Sequence, residues 1–274
     1  MDDLILTRYL YSYIEVKGSL FLSILDRKID EALHWAYELY WSGYTDETID
    51  YLFEVYNIMY EKEERMERRL IEEYNKWKVD NTKHEVLGTI LINICHQKYK
   101  ISKFIETFFQ IKCEDKDEEK KSNKLFIVLN MSNVKKHETL YDYGKRDKIL
   151  KLVYKYKLRT EYSEVFENPK MDMETRKNEL RMNWETYAYR CPYWKEAIDE
   201  YNGRIEDNKI KFDNDDNLEE FYEKYYLDMD EQPGEIQDIA LGINGIKKKS
   251  MKEFIENYNG ILSTKKVKKK ITIS

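Results

Sequence analysis

The sequence predicts a mainly α-helical fold, an irregular multi-helix bundle around one buried, aromatic-rich helix, with at most a small β-hairpin. The chain has only 9 Gly and 3 Pro among its 274 residues, whereas β-sandwiches and barrels need many turns. Aromatic residues make up 14% of the chain, which argues against global disorder. The stretch Asp30–Ser42 carries apolar and aromatic side chains on nearly every side, as a helix enclosed by its neighbours does.

The stretch Asp30–Ser42 (DEALHWAYELYWS) is predicted to be the central helix of this bundle. Asp30 can cap its N-terminus with a carboxylate, and Gly43 suits the left-handed conformation that closes a helix. Trp35 and Leu39 are therefore expected to be nearly inaccessible to solvent.

Five more helices are predicted in the first half of the chain from apolar residues at helical spacing. Gly18 separates the first two. The third is long, and its mostly charged second half is expected to project partly into solvent. These helices are predicted at Leu4–Val16, Leu20–Arg27, Asp46–Lys78, His84–Lys98 and Ser102–Ile111.

The second half of the chain is predicted to be mostly helical, with one hairpin. Leu125–Leu129 (LFIVL) fits a strand or a helix equally well. Arg204–Phe212 predicts a small hairpin with Asp207-Asn208 at its turn. Helices are predicted at Asp172–Arg190, Tyr193–Tyr201, Leu218–Tyr226 and Lys252–Tyr258, the last docking on the body through Phe254, Ile255 and Tyr258.

The polar stretch Glu114–Lys124 (EDKDEEKKSNK) is the predicted boundary between two regions. We expect an N-terminal helical core at residues 1–113, a charged linker at 114–124 and a mostly helical region at 125–246. A basic tail follows at 247–274.

The composition of the chain indicates the cellular compartment in which the protein is found. The formal net charge is −6, and three widely spaced cysteines do not form a disulfide framework, which indicates a reducing environment. No apolar run reaches the roughly 20 residues that a membrane span requires. We therefore expect an intracellular protein that does not contact membranes.

Catalytic motifs are not recognisable. The chain has no phosphate-binding Gly loop, no His-Glu-x-x-His helix and no Gly-x-Ser-x-Gly turn, so we expect no enzymatic activity, no catalytic residue and no cofactor. Cys95-His96 is the nearest approach to a metal site, but adjacent residues point to different sides of a helix and no second ligand pair has zinc spacing. We expect no metal there, and interpret His34 as a hydrogen-bonded core histidine rather than a catalytic base.

The basic tail is the candidate nucleic-acid site, because lysines can bind phosphates with release of counterions. The other interpretation is a solvated end that binds nothing, and we favour it because the rest of the chain is acidic. The candidate residues are Lys247, Lys248, Lys249, Lys265, Lys266, Lys268, Lys269 and Lys270.

Three segments together resemble a family of uncharacterised helical proteins of the nucleocytoplasmic large DNA viruses, the giant viruses of algae and protists. The segments are Tyr9–Tyr44 (YLYSYIEVKGSLFLSILDRKIDEALHWAYELYWSGY), Cys191–Gly203 (CPYWKEAIDEYNG) and Phe221–Gln232 (FYEKYYLDMDEQ). The resemblance covers roughly a quarter of the chain. It implies a viral origin and a helical fold, and it implies no activity or catalytic residues.

The function expected from these observations is that of a non-enzymatic helical interaction or structural protein of a large DNA virus. Its partner would be a viral or host protein, met in the host cytoplasm or in the virion. The alternative is a nucleic-acid-associated replication or transcription factor that uses the basic tail, with the nucleus as a further compartment. A third hypothesis is an enzyme of unrecognised type, which a cleft holding a group with a strongly shifted pKa would favour.

Overall fold

The computed structural model describes residues 4–61, 63–116, 125–138, 156–162, 165–166, 172–207, 209–225, 238 and 246–262. Over these residues the fold is mainly α-helical with two small antiparallel sheets of two strands each, which confirms the predicted fold class. The helices are α1 (Tyr13–Leu25), α2 (Ile29–Trp41), α3 (Thr45–Met59), α4 (Glu64–Val79), α5 (Glu85–Cys95), α6 (Ile101–Phe109), α7 (Met131–Val134), α8 (Met173–Ala188), α9 (Pro192–Glu200), α10 (Asp215–Tyr225) and α11 (Met251–Asn257). The strands are β1 (Cys113–Asp115), β2 (Gly203–Glu206), β3 (Lys209–Phe212) and β4 (Gly260–Leu262), and a short 3-10 helix follows α7 at Lys135–His137.

Helix α2 is the centre of the fold, as predicted. It packs against α1, α3 and α5, and Trp35 and Leu39 are 0% and 1% exposed. Gly43 ends this segment of chain at φ +94°, a conformation that favours glycine. The predicted cap is wrong: Lys28 occupies the N-cap position without a side-chain bond, and Asp30 lies inside the first turn. Its carboxylate accepts from the Lys136 ammonium instead, at 2.6 Å.

The first predicted helix, Leu4–Val16, is wrong in its position. Residues 4–12 are irregular and close on themselves through a bridge between Leu6 and Ser12. Helix α1 then runs from Tyr13 to Leu25 without a break at Gly18. This entry segment, residues 4–12, does not form helical hydrogen bonds because tertiary partners replace them. For example, the Arg8 N–H donates to Ser42 Oγ at 2.9 Å.

The predicted helix Asp46–Lys78 is two helices, α3 and α4. Between them Tyr60 forms an isolated bridge with Tyr99, and the Lys100 N–H donates to the Met59 carbonyl at 2.7 Å. This neighbouring strand-like segment offers the backbone an alternative to continuing the helix. Helix α4 buries only a narrow stripe of side chains against the body and leaves the rest to solvent, as expected for its charged sequence. The buried residues of α4 are Met66, Leu70, Glu73 and Trp77.

The segment around Leu125–Leu129 is neither a strand nor a helix. It lies along α5, where the Asn93 side chain donates to the Ile127 carbonyl at 2.6 Å and accepts from the Ile127 N–H at 2.9 Å. The Leu129 N–H donates to Thr89 Oγ1 at 3.0 Å. Thr89 and Asn93 are four residues apart, about 6 Å along the helix axis, and they bond backbone groups that are two residues apart in the segment.

The hairpin and the helices around it are confirmed. Strands β2 and β3 pair from Gly203–Phe212 to Glu206–Lys209, and Asp207 adopts the positive φ of a tight turn; Asn208 lies outside the described residues. Helices α8, α9 and α10 meet beside this hairpin around three large buried aromatic side chains. These are Trp184, Trp194 and Phe221.

The last described segment returns to the N-terminal core. Phe254, Ile255 and Tyr258 of the brief α11 region are buried, which confirms the predicted docking. Strand β4 pairs with β1, so the first two residues of the stretch predicted as a linker, Glu114 and Asp115, belong to a strand. Buried apolar residues from both sides of that stretch form one cluster. The predicted domain boundaries stay predictions, and residues 117–124 lie outside the described part of the chain.

A buried arginine–glutamate pair anchors the entry segment. The Arg8 Nε donates to Glu38 Oε2 of α2 at 3.2 Å, and the Tyr9 N–H donates to Glu38 Oε1 at 3.0 Å. The guanidinium also donates to the carbonyls of His137 and Glu138, at 2.6 and 3.1 Å. Burial raises the pKa of the Glu38 carboxyl, and the charge of Arg8 opposes that rise.

A second buried pair joins α1 to α8. Arg176 donates from both terminal nitrogens to the two carboxylate oxygens of Glu15, at 3.0 and 2.8 Å. Both residues are buried, so this two-bond pair connects the first and second halves of the chain inside the protein.

Candidate functional site

A pocket of about 760 Å³ lies between α1, α3 and α6. That volume is within the range of about 300–1,000 Å³ that is usual for ligand sites. Its lining is mostly apolar and strongly aromatic. The described lining residues are Tyr13, Ile14, Lys17, Gly18, Phe21, Tyr51, Glu54, Val55, Ile58, Met59, Phe104, Phe108, Phe109, Val165 and Phe166.

Helical periodicity places the lining side chains of each helix on one face of that helix, so each helix forms one wall of the pocket. Tyr13, Lys17 and Phe21 are four residues apart on α1, so they lie on the same face. The same spacing brings Phe104 and Phe108 together on α6, with ring centroids 5.0 Å apart. Helix α1 therefore makes contacts on two faces. One face packs on α2, and the other forms a wall of the pocket.

Gly18 gives this wall its depth. It lies within α1, and a Cβ atom at this position would meet the Phe166 ring at 3.5 Å. Phe166 in turn packs edge-on against Phe21, with ring centroids 5.7 Å apart, and Phe21 packs on Phe104 at 4.7 Å. Phenylalanine rings therefore line the interior of the pocket, and they surround the surface of α1 at Gly18, where the helix has no side chain.

Lys17 is the single cation among the described lining residues. Its Nζ lies 4.5 Å from the ring centroid of Tyr51 and 5.6 Å from that of Tyr13, which are cation–π distances. Among the described residues, no carboxylate comes within ion-pair distance of it and no acceptor bonds it. Burial lowers the pKa of Lys17, and the nearby charge of Glu54 acts in the opposite direction.

The two tyrosines beside Lys17 are neutral at physiological pH. Burial raises the pKa of both Tyr13 and Tyr51 above its usual range, with nearby glutamates adding to the rise. The Tyr51 hydroxyl donates to the Lys17 carbonyl at 3.4 Å, which ties α3 to α1 at the pocket. Neutral rings keep their electron-rich faces towards the ammonium, so this arrangement holds a positive charge in an apolar setting.

Phe108 gives the pocket an exposed edge. Its side chain is 43% exposed, which places it among the exposed large apolar side chains in the described part of the chain. An exposed aromatic ring beside an apolar pocket is the arrangement that binding sites for apolar groups use. The pocket can therefore remove an apolar group from water and present it with one positive charge.

The lysines predicted to contact nucleic acid do not line this pocket, as far as they are described. Lys248 donates from its Nζ to the Thr160 carbonyl at 2.8 Å. Lys249 lies over the ring of Tyr162 at 5.1 Å, and Lys247 is exposed. The other candidates, Lys265, Lys266, Lys268, Lys269 and Lys270, lie outside the described residues, so nucleic-acid binding by the tail stays a prediction.

The other side chains considered from sequence are inside the core or apart from one another. Cys95 is buried, and burial raises the pKa of its thiol to about 12, while His96 is half-buried. His34 is buried and packs edge-on against Trp35 at 4.8 Å. Within the described ranges, no three His, Cys, Asp or Glu side chains form a group that could hold a metal ion.

Sequence reasoning missed the pocket altogether. A helix break placed at Gly18 separated Tyr13, Ile14 and Lys17 from Phe21, so their common face was not recognised. The available signal was the four-residue spacing of those side chains across the glycine.

Comparisons with the models of known protein families, with curated proteins and with solved structures find no match to this chain. Among the described residues, none of the helices combines the length and apolar character that a membrane span requires.

Proposed function

We propose that this chain is a non-enzymatic interaction protein and that its aromatic pocket receives apolar side chains of a protein partner. The observation that carries the proposal is the phenylalanine-lined pocket between α1, α3 and α6, with the ring of Phe108 exposed at its edge. The setting is the one that the resemblance implies: a large DNA virus, with the partner in the host cytoplasm or in the virion.

The size and lining of the pocket suit an anchor side chain. Burying one large apolar side chain contributes about 1.5–3 kcal/mol, and such anchors dominate the energy of many protein interfaces. Two or three turns of an amphipathic helix present anchors at the spacing that a groove between helices accepts. The described lining holds no serine, cysteine or histidine, and the Tyr51 hydroxyl donates to the Lys17 carbonyl, so binding is favoured over nucleophilic catalysis.

The experiment is selection of peptide ligands followed by mapping. Peptides of about twelve residues, long enough for three helical turns, would be selected on the native chain from a displayed library. Their affinity would then be measured for two variants, Phe108→Glu at the pocket edge and Val79→Glu as the matched control. Val79 is 89% exposed at the end of α4 and does not line the pocket.

We expect Phe108→Glu to weaken binding by about tenfold or more, because it places a charge where an apolar group must be buried. Val79→Glu should leave the affinity unchanged. Peptides that bind both variants as well as the native chain would show that the pocket is not the interaction site.

A further inference from the structure

Lys17 is the polar feature of the pocket that the proposed function leaves unexplained. A lysine with its ammonium at the wall of an apolar pocket normally has a carboxylate partner or extends its head into water. Lys17 is half-buried and has neither an ion pair nor a hydrogen bond from its Nζ to any described residue. Among the described residues, this partly buried cation is held by two tyrosine rings and by the more distant charge of Glu54.

We infer that Lys17 recognises a carboxylate of the partner, carried by an Asp or Glu next to the apolar anchor that enters the pocket. This inference rests on the proposed function and names the chemistry of the partner: an amphipathic peptide with an apolar anchor and an acidic side chain on the same face. On a helix, that means an acidic residue three or four positions from the anchor.

Three observations favour a carboxylate over other groups. The ammonium is positioned in advance, between Tyr13 and Tyr51, so little side-chain freedom remains to be lost on binding. It is the single cation among the described lining residues, so an anion has one place to go. Among the described residues the Lys17 ammonium has no ion pair and no hydrogen bond, and burial lowers its pKa, so a carboxylate within bonding distance would supply the partner that the charged form lacks.

Glu54 is the counter-charge that the inference has to accommodate. It lines the same pocket, and its charge acts on Lys17, but its carboxylate lies beyond ion-pair distance from Nζ and its side chain is exposed. An exposed carboxylate in water attracts the ammonium weakly. Glu54 should instead repel an incoming carboxylate, which makes it a restraint on affinity and gives the inference a second test.

The test is a cycle of paired substitutions on the selected peptides and on the full chain. For each pocket-dependent peptide, one acidic residue at a time is changed to its amide, Glu→Gln or Asp→Asn. Binding of each pair is measured to the native chain, to Lys17→Arg, to Lys17→Gln and to Glu54→Gln. Thermal unfolding of every variant shows that it is folded.

On the native chain, one Glu→Gln change should weaken binding by about tenfold, because a charge-assisted hydrogen bond is lost. On Lys17→Gln the same change should make no difference, and on Lys17→Arg it should again weaken binding. Glu54→Gln should strengthen binding of the acidic peptide and leave its amide form unaffected.

Two results would overturn the inference. One is a set of pocket-dependent peptides whose affinity is insensitive to every amide change. The other is an acidic dependence that persists in Lys17→Gln. Either result leaves the proposed function standing, whereas peptides that ignore Phe108→Glu would remove the proposed function as well.

Stability of the free chain gives an independent readout. Because burial of the unpaired ammonium offsets its cation–π contacts with Tyr13 and Tyr51, Lys17→Met should change the unfolding temperature little while weakening the binding of acidic peptides. A marked fall in the unfolding temperature would show that Lys17 has a structural role and would count against the inference.

Discussion

Helices α1 and α2 lie side by side in the core, yet they differ in how their charged side chains are paired. In α2 the buried Glu38 is met by Arg8 and by the Tyr9 N–H, so its charge is compensated inside the protein. In α1 the buried Glu15 is met by Arg176 in the same way, but Lys17, on the opposite face, has no such partner among the described residues. Among the described residues, all three carboxylates of α2 therefore have a cationic partner, whereas only one of the two charged side chains of α1 has a partner of opposite charge.

Because of this difference, substitutions in the two helices should affect either the stability of the fold or the binding of a partner. Where every buried charge has a partner, a substitution should reduce stability. Where a side chain lines the pocket without a partner, a substitution should change binding and leave stability nearly unchanged. The same rule distinguishes the inner face of α1, which carries Glu15, from its outer face, which carries Lys17 and lines the pocket.

The largest expected effect is on the inner face of α1. Arg176→Met leaves the Glu15 carboxylate buried and unpaired, which typically costs about 3–5 kcal/mol. The free energy of unfolding, measured by urea denaturation, should fall by that amount. Lys195→Met is the control, because Lys195 forms an exposed pair with Asp199 and exposed pairs contribute about 0–1 kcal/mol. Equal losses in the two variants would show that the buried pair is not special.

A slightly smaller loss is expected in α2. Leu39 is 1% exposed, and Leu39→Ala should lower the free energy of unfolding by about 2–5 kcal/mol, as large-to-small changes in buried sites do. Binding of pocket peptides to the fraction that remains folded should not change, because Leu39 does not line the pocket. A selective loss of binding without a loss of stability would contradict the division between the two helices.

Two helical glycines give the sharpest test of the outer face. At Gly18 a Cβ atom would make an ordinary contact with Phe166 at 3.5 Å, so Gly18→Ala should stabilise α1 by about 0.5–1 kcal/mol. The added methyl group enters the pocket and should weaken peptide binding.

Gly88 in α5 is the matched control. There a Cβ atom would lie 2.9 Å from Leu129 Cδ1 and 3.0 Å from the Tyr37 hydroxyl, so Gly88→Ala should destabilise the fold through overpacking, by about 1–3 kcal/mol. Thermal unfolding distinguishes the two substitutions by the sign of the change. If Gly18→Ala lowered the unfolding temperature as Gly88→Ala does, the outer face of α1 would be part of the packed core.

The smallest effect is expected in the basic tail. Deleting Lys265–Ser274 should leave any binding of DNA or RNA, and its dependence on salt, unchanged, because the acidic remainder of the chain repels a phosphate backbone. The measurement is the affinity of the full and the shortened chain for one DNA and one RNA over a range of salt concentrations. A steep salt dependence that flattens on deletion would instead support the tail as the phosphate contact.

The fold was predictable wherever local sequence and tertiary packing agree. The central helix α2 is apolar on nearly every side, and the hairpin β2–β3 follows its turn residues. The docking of α11 follows from three apolar side chains in a polar neighbourhood. In each case the residues that predict the element from local sequence are also the residues that the fold buries or places at the turn. The prediction therefore did not depend on knowing a partner distant in sequence.

The sequence by itself therefore determined the helical class, the core helix and the hairpin, because hydrophobic periodicity is a local property. Tertiary structure decided the rest. Residues 4–12 leave the helical pattern because Ser42 binds their backbone, and residues 125–130 form neither a strand nor a helix because Asn93 and Thr89 bind theirs. The pocket depends on three helices distant in sequence, with Lys17 left between Tyr13 and Tyr51. Such partners come together only after packing, which is why local patterns do not contain them.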